Sequence, residues 1–315
     1  MEPLLIKELA ELWLMDVKDI LRPSSYARYQ NCTSKYILPY IGEMDSYVFG
    51  KNDLSAMLGR LAGQENEAIL SQHTVYIVES MVRAMFHYGA DKKLIPEVAF
   101  GKAEYMVKNK KIAMPLSELE TQQLIYEAEQ QGTDTQIQVM LPLYAGVTLS
   151  ELCGLKWEDI NLEKGEIYIH RNLMRVQKDI TDYGNEKPGT ALVEFELPES
   201  ECRKFVMPKK LNTLLIREVK KRNAINENYV ASFYKKTNAQ PDGRTLQNHL
   251  KALGKKTWIP ELTFKRLRDT FAVMCLQAGG DVYSLAYVLG VGTNAVCERY
   301  KKWLVKTDNF LTKIS

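Results

Sequence analysis

Three residues near the end of the chain have types and spacings that suit phosphate chemistry. Lys265 and Arg268 stand three positions apart, which on a helix puts both on one face. Tyr300 follows them beyond two glycine-containing breaks, Gly279-Gly280 and Gly290-Val291-Gly292. Two cations on one face can neutralise phosphate oxygens, and a tyrosine brought against the group can attack its phosphorus. Plainer readings stand beside this one. Tyr300 is one of 17 tyrosines and could pack as an amphipathic helix residue. Arg268 could be a structural ion-pair residue with Asp269 or Glu151. Lys265 and Arg266 with Lys301 and Lys302 could form a solvated face.

The elements that must position these residues read as mostly helical. Apolar residues recur at helical spacing from Pro3 to Leu21, and Pro23 is expected to stop that helix. A second helix opens at Ser24-Ser25, with serine as cap, and runs to Leu38-Pro39. A third covers Leu54 to Leu61 and a fourth runs from about His73 to Gly89, so residues 1–98 form a small all-helical module. Residues 99–115 read as a linker, with Lys102, Lys108, Lys110 and Lys111 against the single acid Glu104. It is either a cationic strap on a phosphate backbone or a solvated connector.

Residues 116–315 form the second domain. Ser117 and Glu120 make a capping box, and a further helix from about Asp134 ends at Gly146. After a short helix at 149–155, strands are expected over 166–176, 191–197 and 204–207, forming one small antiparallel sheet. Helices then cover about 209–222, 243–255, 262–278, 281–289 and 294–304. The fold class is mainly α with a small antiparallel β-sheet.

At 315 residues the chain can hold two cores, given roughly 100 to 200 residues per domain. Its hydrophobic fraction of 45% and charged fraction of 26% are those of an ordinary globular protein, so disorder is not the default reading. A net charge of +3 is only mildly basic, so a nucleic-acid partner must be argued from local patches. Cys32, Cys153, Cys202, Cys275 and Cys297 are odd in number and scattered, which argues against a disulfide framework and leaves them expected as reduced and buried. His73, His87, His170 and His249 lack metal-ligand spacing, and neither metal nor cofactor is expected. Glu2, Lys7 and Glu8 interrupt the apolar start, unlike a signal peptide, and no stretch reaches the ~18 uncharged apolar residues of a membrane span. The expectation is a cytoplasmic protein that does not associate with membranes.

The stretch Lys265-Arg266-Leu267-Arg268-Asp269-Thr270-Phe271-Ala272, then Leu289-Gly290-Val291, then Tyr300 nine positions later resembles the C-terminal box of the tyrosine recombinases, the phage-integrase family. That box reads roughly His-x-Leu-Arg-His-Thr-Phe-Ala, Leu-Gly-His, and a Tyr nine positions on. Pro23-Ser24-Ser25-Tyr26-Ala27-Arg28-Tyr29 and Tyr36-Ile37-Leu38-Pro39-Tyr40-Ile41-Gly42 are similar to the opening of the family's helical, SAM-like core-binding domain. The resemblance spans nearly the whole chain. It implies two domains clamping double-stranded DNA, self-association as a tetramer on DNA, and metal-free cleavage through a 3′-phosphotyrosyl link at Tyr300. It also implies that the segment after the tyrosine, with Trp303, Leu304, Phe310 and Leu311, docks on a neighbouring protomer.

The same resemblance exposes departures. The family's Gly-Leu-Arg-x-Ser-Glu-Leu reads Gly146-Val147-Thr148-Leu149-Ser150-Glu151-Leu152, so Thr148 stands at the first arginine. A hydroxyl carries no charge and cannot make a forked phosphate contact. The hairpin lysine, in some members Pro-Lys-Thr-x-x-Ser before a strand ending in Ile-Pro, falls at Glu199 in Pro198-Glu199-Ser200-Glu201-Cys202, with Lys187 as an alternative. Val291 replaces a histidine. Lys265 stands where many relatives have His and some have Lys, while Arg268 and Tyr300 stand in place. Three readings follow: a DNA-binding family member impaired or inactive in strand transfer, an active integrase, or an assembly protein that keeps the fold without DNA.

Overall fold

The computed structural model describes residues 4–21, 23–63, 70–103, 114–177, 189–233 and 239–304. The chain divides into two compact units, Met1–Ile112 and Ala113–Ser315.

In the first unit, α1 (Ile6–Val17) buries Ile6, Leu9, Ala10 and Trp13 along one stripe, and its first turn is capped by Glu8, which accepts from the Leu5 N–H at 2.9 Å. Pro23 does not merely stop this helix. It opens α2 (Pro23–Cys32), where a missing N–H in the first turn costs nothing. The chain continues through a π-helical turn, Thr33–Ile37, into α3 (Leu38–Ile41), and Pro39 is again tolerated in a first turn. Trp13 stacks on Tyr29 with ring centroids 5.3 Å apart, tying α1 to α2. Helix α4 (Lys51–Leu61) is capped through Asp53, and α5 (Gln72–Asp91) through Ser71, whose hydroxyl accepts from the Thr74 N–H. The stripe Val75, Val78, Met81, Val82, Met85 and Phe86 completes the core of this module.

The second unit is built on α7 (Thr133–Ala145), which is buried along most of its length. Against it pack α6 (Glu118–Gln131), opened by the Ser117/Glu120 capping box, and α11 (Phe264–Gln277). The short α8 (Leu149–Gly154) follows α7. The strands are β1 (Ile160–Asn161), β2 (Glu166–Ile169), β3 (Arg171–Gln177), β4 (Thr190–Glu196) and β5 (Arg203–Val206). Helices α9 (Lys209–Arg222), α10 (Gly243–Lys256), α12 (Val282–Leu289) and α13 (Thr293–Leu304) complete the unit.

The single expected sheet is two sheets. Burial alternates without a break through Ile167, Ile169, Arg171 and Leu173, so the sequence reads one strand. Pairing divides it at His170: β2 pairs with β5 in a three-stranded sheet of order β1-β2-β5, and β3 pairs with β4 in a separate ribbon. The returning chain is the cause. A 3-10 turn at Glu199–Glu201 interrupts it between β4 and β5, so the two halves of the long hairpin find different ladders.

The cysteines are free, but only Cys32 and Cys153 are buried; Cys297 is exposed on α13. No helix among the described residues is long and apolar enough to cross a membrane. Of the basic stretch, Lys102 is exposed, whereas Lys108, Lys110 and Lys111 lie outside the described residues, as does Lys187.

Candidate active site

The site begins where α7 stops. Gly146 takes φ +62°, and a Cβ there would lie 2.5 Å from the Phe271 ring, so glycine is required on both counts. Two residues later Thr148 caps α8. Its hydroxyl accepts from the Glu151 N–H at 3.3 Å, and Glu151 Oε2 accepts from the Thr148 N–H at 2.7 Å. The residue at the family's first-arginine position is thus engaged in a reciprocal capping box.

Arg268, on α11, donates to the carbonyls of Gly146 at 2.6 Å and Leu289 at 2.5 Å, joining the end of α7 to the end of α12. Its Nη1 lies 3.8 Å from Glu151 Oε2. Of the two acids considered as its partner, Glu151 is the one it approaches; Asp269 pairs with Arg299. Burial pulls Arg268 below the ordinary guanidinium value, with Glu151 opposing.

A cavity of about 560 Å³ is walled by Thr148, Leu149 and Ser150 of the α8 start, by Gln247, Leu250 and Lys251 of α10, and by Leu262 through Lys265 and Arg268. It brings Lys265 and Arg268 together, as their spacing implied, and adds Lys251, which sequence reasoning missed. A signal existed: Leu246, Leu250 and Leu253 define the buried face of α10, leaving Gln247 and Lys251 one turn apart on the other. What that face would meet was not legible. Arg266, considered as part of a solvated face, is instead buried, donating to the carbonyls of Met114 and Pro260 at 2.7 Å and pairing with Glu120 at 3.1 Å. Lys301 and Lys302 are exposed.

Tyr300 is not part of the cavity wall. It is 4% exposed, packed with Phe271, Leu285, Leu289 and Val296, and sits at a kink in α13 where φ and ψ are −110° and 18°. Its hydroxyl donates to Asp269 Oδ1 at 2.7 Å, and Arg299 grips the same carboxylate through both Nε and Nη2. Burial, then the Asp269 carboxylate, pushes the phenol well above its ordinary range. The hydroxyl is therefore held in its protonated form against Asp269.

Neither Glu199 nor Val291 lines the cavity. Glu199 is exposed on the 3-10 turn after β4. Val291 is 39% exposed, just after the left-handed Gly290. Among the described residues no cluster of three or more His, Cys, Asp or Glu side chains could hold a metal ion.

A second missed residue is Arg203, the first residue of β5 and 3% exposed as a side chain. Its Nη1 donates to Glu151 Oε1 at 2.8 Å and its Nε to the Val288 carbonyl at 2.7 Å. Burial pushes the Glu151 carboxyl up. Arg203 and the Thr148 N–H, with Arg268 beyond, outweigh that and hold it below the usual carboxylate range. In the Pro-Lys-Thr-x-x-Ser frame Arg203 occupies the serine position.

Comparison with known proteins bears on the family and the fold. The model of the phage integrase family matches residues 115–305, and that of the phage integrase N-terminal SAM-like domain matches residues 5–45. The chain belongs to the phage integrase family. It is 23% identical, over 90% of its length and 75% of the relative's, to a tyrosine recombinase XerC-like protein of Caldanaerobacter subterraneus subsp. tengcongensis. It is 30% identical over 55% of its length to the defective protein IntQ of Escherichia coli (strain K12); the match spans 46%, about half, of that relative. Among solved structures, the Tn1549 transposon integrase in complex with a circular-intermediate DNA superposes with a TM-score of 0.76 at 16% identity, covering 97% of this chain and 98% of that one. A lambda integrase tetramer bound to a Holliday junction gives 0.66 at 13% identity, covering 94% and 78%. At such identities the likeness speaks for the fold: an N-terminal helical domain followed by an integrase-type catalytic domain.

Proposed function

We propose that this family member binds double-stranded DNA in the cytoplasm through the cavity of Arg268, Lys265 and Lys251, and that it is impaired or inactive in strand transfer as it stands. The observation that carries the reading is the composition of that cavity wall: three cations face one space, while Thr148, where the family has an arginine, is spent on a helix cap. A phosphate could be bound there. The developing charge of a transition state would lack the first arginine, the lysine at 199 and the donor at 291. Loss of one preorganised donor typically costs ~10² to 10³ in rate.

Lys102, Lys108, Lys110 and Lys111 would add a strap of backbone contacts. Assembly into a tetramer on DNA would use the segment after Tyr300, with Trp303, Leu304, Phe310 and Leu311, of which the last two lie outside the described residues. The solved relatives carry this expectation, since one is a tetramer on a Holliday junction.

The alternative, an active integrase, is favoured by register: Arg268 and Tyr300 stand where the family pattern has its arginine and its tyrosine. A nicked suicide duplex carrying the site the chain selects from a random pool tests both. The expected result is salt-steep duplex binding without a covalent adduct. An adduct at Tyr300 overturns the impaired reading; absence of duplex binding overturns the DNA reading and leaves the assembly protein.

A further inference from the structure

We propose that Arg203 is the compensating positioning residue of the phosphate cavity: it neutralises Glu151 from behind, so that the charge of Arg268 remains available to a DNA phosphate although Thr148 supplies none. The inference rests on reading the cavity as a backbone-phosphate site.

Glu151 lies between two arginines. Arg203 Nη1 is 2.8 Å from Oε1, and Arg268 Nη1 is 3.8 Å from Oε2. Without Arg203 the buried carboxylate and Arg268 would cancel, and the pair would carry no net charge. With it the trio carries a net charge of +1. Because Glu151 and Arg203 are both withdrawn from water, solvent screens this charge less than it would screen a surface pair.

The geometry is specific to this purpose in two further ways. Arg203 and Arg268 donate to consecutive carbonyls, Val288 and Leu289, so the end of α12 is clamped by both. Gly290 then turns away at φ +61°, and a Cβ there would come within 2.8 Å of Arg203 Nη1. The guanidinium therefore lies directly under the backbone that leads to Val291. Arg203 Nη2 is buried without a hydrogen-bond partner in the described structure.

The test uses the full chain and a random-sequence duplex, with affinity measured across salt concentrations for wild type, Arg203→Gln, Glu151→Gln and the double variant. Glutamine at 151 keeps the capping geometry with Thr148. Arg203→Gln is expected to weaken binding about tenfold or more, and to reduce the slope of log affinity against log salt by about one, as for loss of one phosphate contact. The double variant is expected to recover most of that loss, because removing both charges leaves Arg268 unopposed again. A purely structural role predicts a double variant no better than the single one, and that outcome overturns the proposal, as does an unchanged slope in Arg203→Gln. If Arg203→Gln fails to fold, Glu151→Gln decides: tighter low-salt binding than wild type supports the proposal, and equal or weaker binding overturns it. If wild type itself does not bind duplex, the DNA reading has failed, and this inference fails with it.

Discussion

The hydroxyl of Tyr300 donates to Asp269 Oδ1 at 2.7 Å, and that same carboxylate is held by Arg299. The residue in register for a nucleophile is thus bound by its protonated form. The folded chain holds the phenol proton more tightly than the unfolded chain does, so the contribution to stability is complete below the ordinary phenol value of about 10 and is lost as pH rises above it. Tyr300→Phe is expected to cost about 1.5–3 kcal/mol at neutral pH, the worth of a hydrogen bond to a charged group. In urea unfolding the gap between the two proteins should narrow above about pH 10. A gap independent of pH would show that the hydrogen bond does not set this titration.

If missing donors limit strand transfer, restoring them should release it. The triple variant Thr148→Arg, Glu199→Lys and Val291→His is expected to raise adduct formation on a nicked duplex by about 10² or more over wild type. Thr148→Arg also removes a helix cap, at about 1 kcal/mol, so the melting temperature should fall as the reaction rises. No rise in the triple variant would point instead to the Asp269 contact as the limiting feature.

Lys251 is exposed on α10 beside Arg268 and Lys265 in the cavity wall. Lys251→Ala should weaken duplex binding by a similar factor on all sequences and reduce the salt slope by about one. Thermal unfolding should stay within about 0.5 kcal/mol of wild type, as expected for a surface change. A sequence-dependent loss would place Lys251 at a base edge instead.

Gly146 links the end of α7 to Arg268. Gly146→Ala adds a left-handed alanine and a Cβ 2.5 Å from Phe271, together expected to cost about 2–4 kcal/mol. The same change should weaken DNA binding, since the Gly146 carbonyl orients Arg268. Chemical denaturation and a binding titration on one preparation check both effects.

Much of this molecule could be read in the chain itself. The capping box at Ser117 and Glu120, the stop at Gly146 and the helices around Lys265, Arg268 and Tyr300 rest on local propensity and short-range hydrogen bonds, so their signals lie within a few residues. The family register came from the same box. The second helix is expected to open at Ser24-Ser25, but Pro23 is its first residue, because a proline that ends one helix is equally suited to begin the next. The division of the long hairpin was invisible because inward-facing residues alternate straight through His170, and only the interrupted partner strand separates its halves.

What the amino-acid sequence determined by itself was the helical framework and the family, with Thr148, Glu199 and Val291 standing where the resemblance implies an arginine, a lysine and a histidine. Only the tertiary structure decided which charges meet. β5 carries Arg203 to Glu151, and α10 brings Lys251 into the cavity wall beside the starts of α8 and α11. Tyr300 does not line the cavity, and its hydroxyl is bound to Asp269, which Arg299 also holds. A charge acts through space on whatever the fold brings near it, and that neighbourhood is set by packing between segments far apart in the chain.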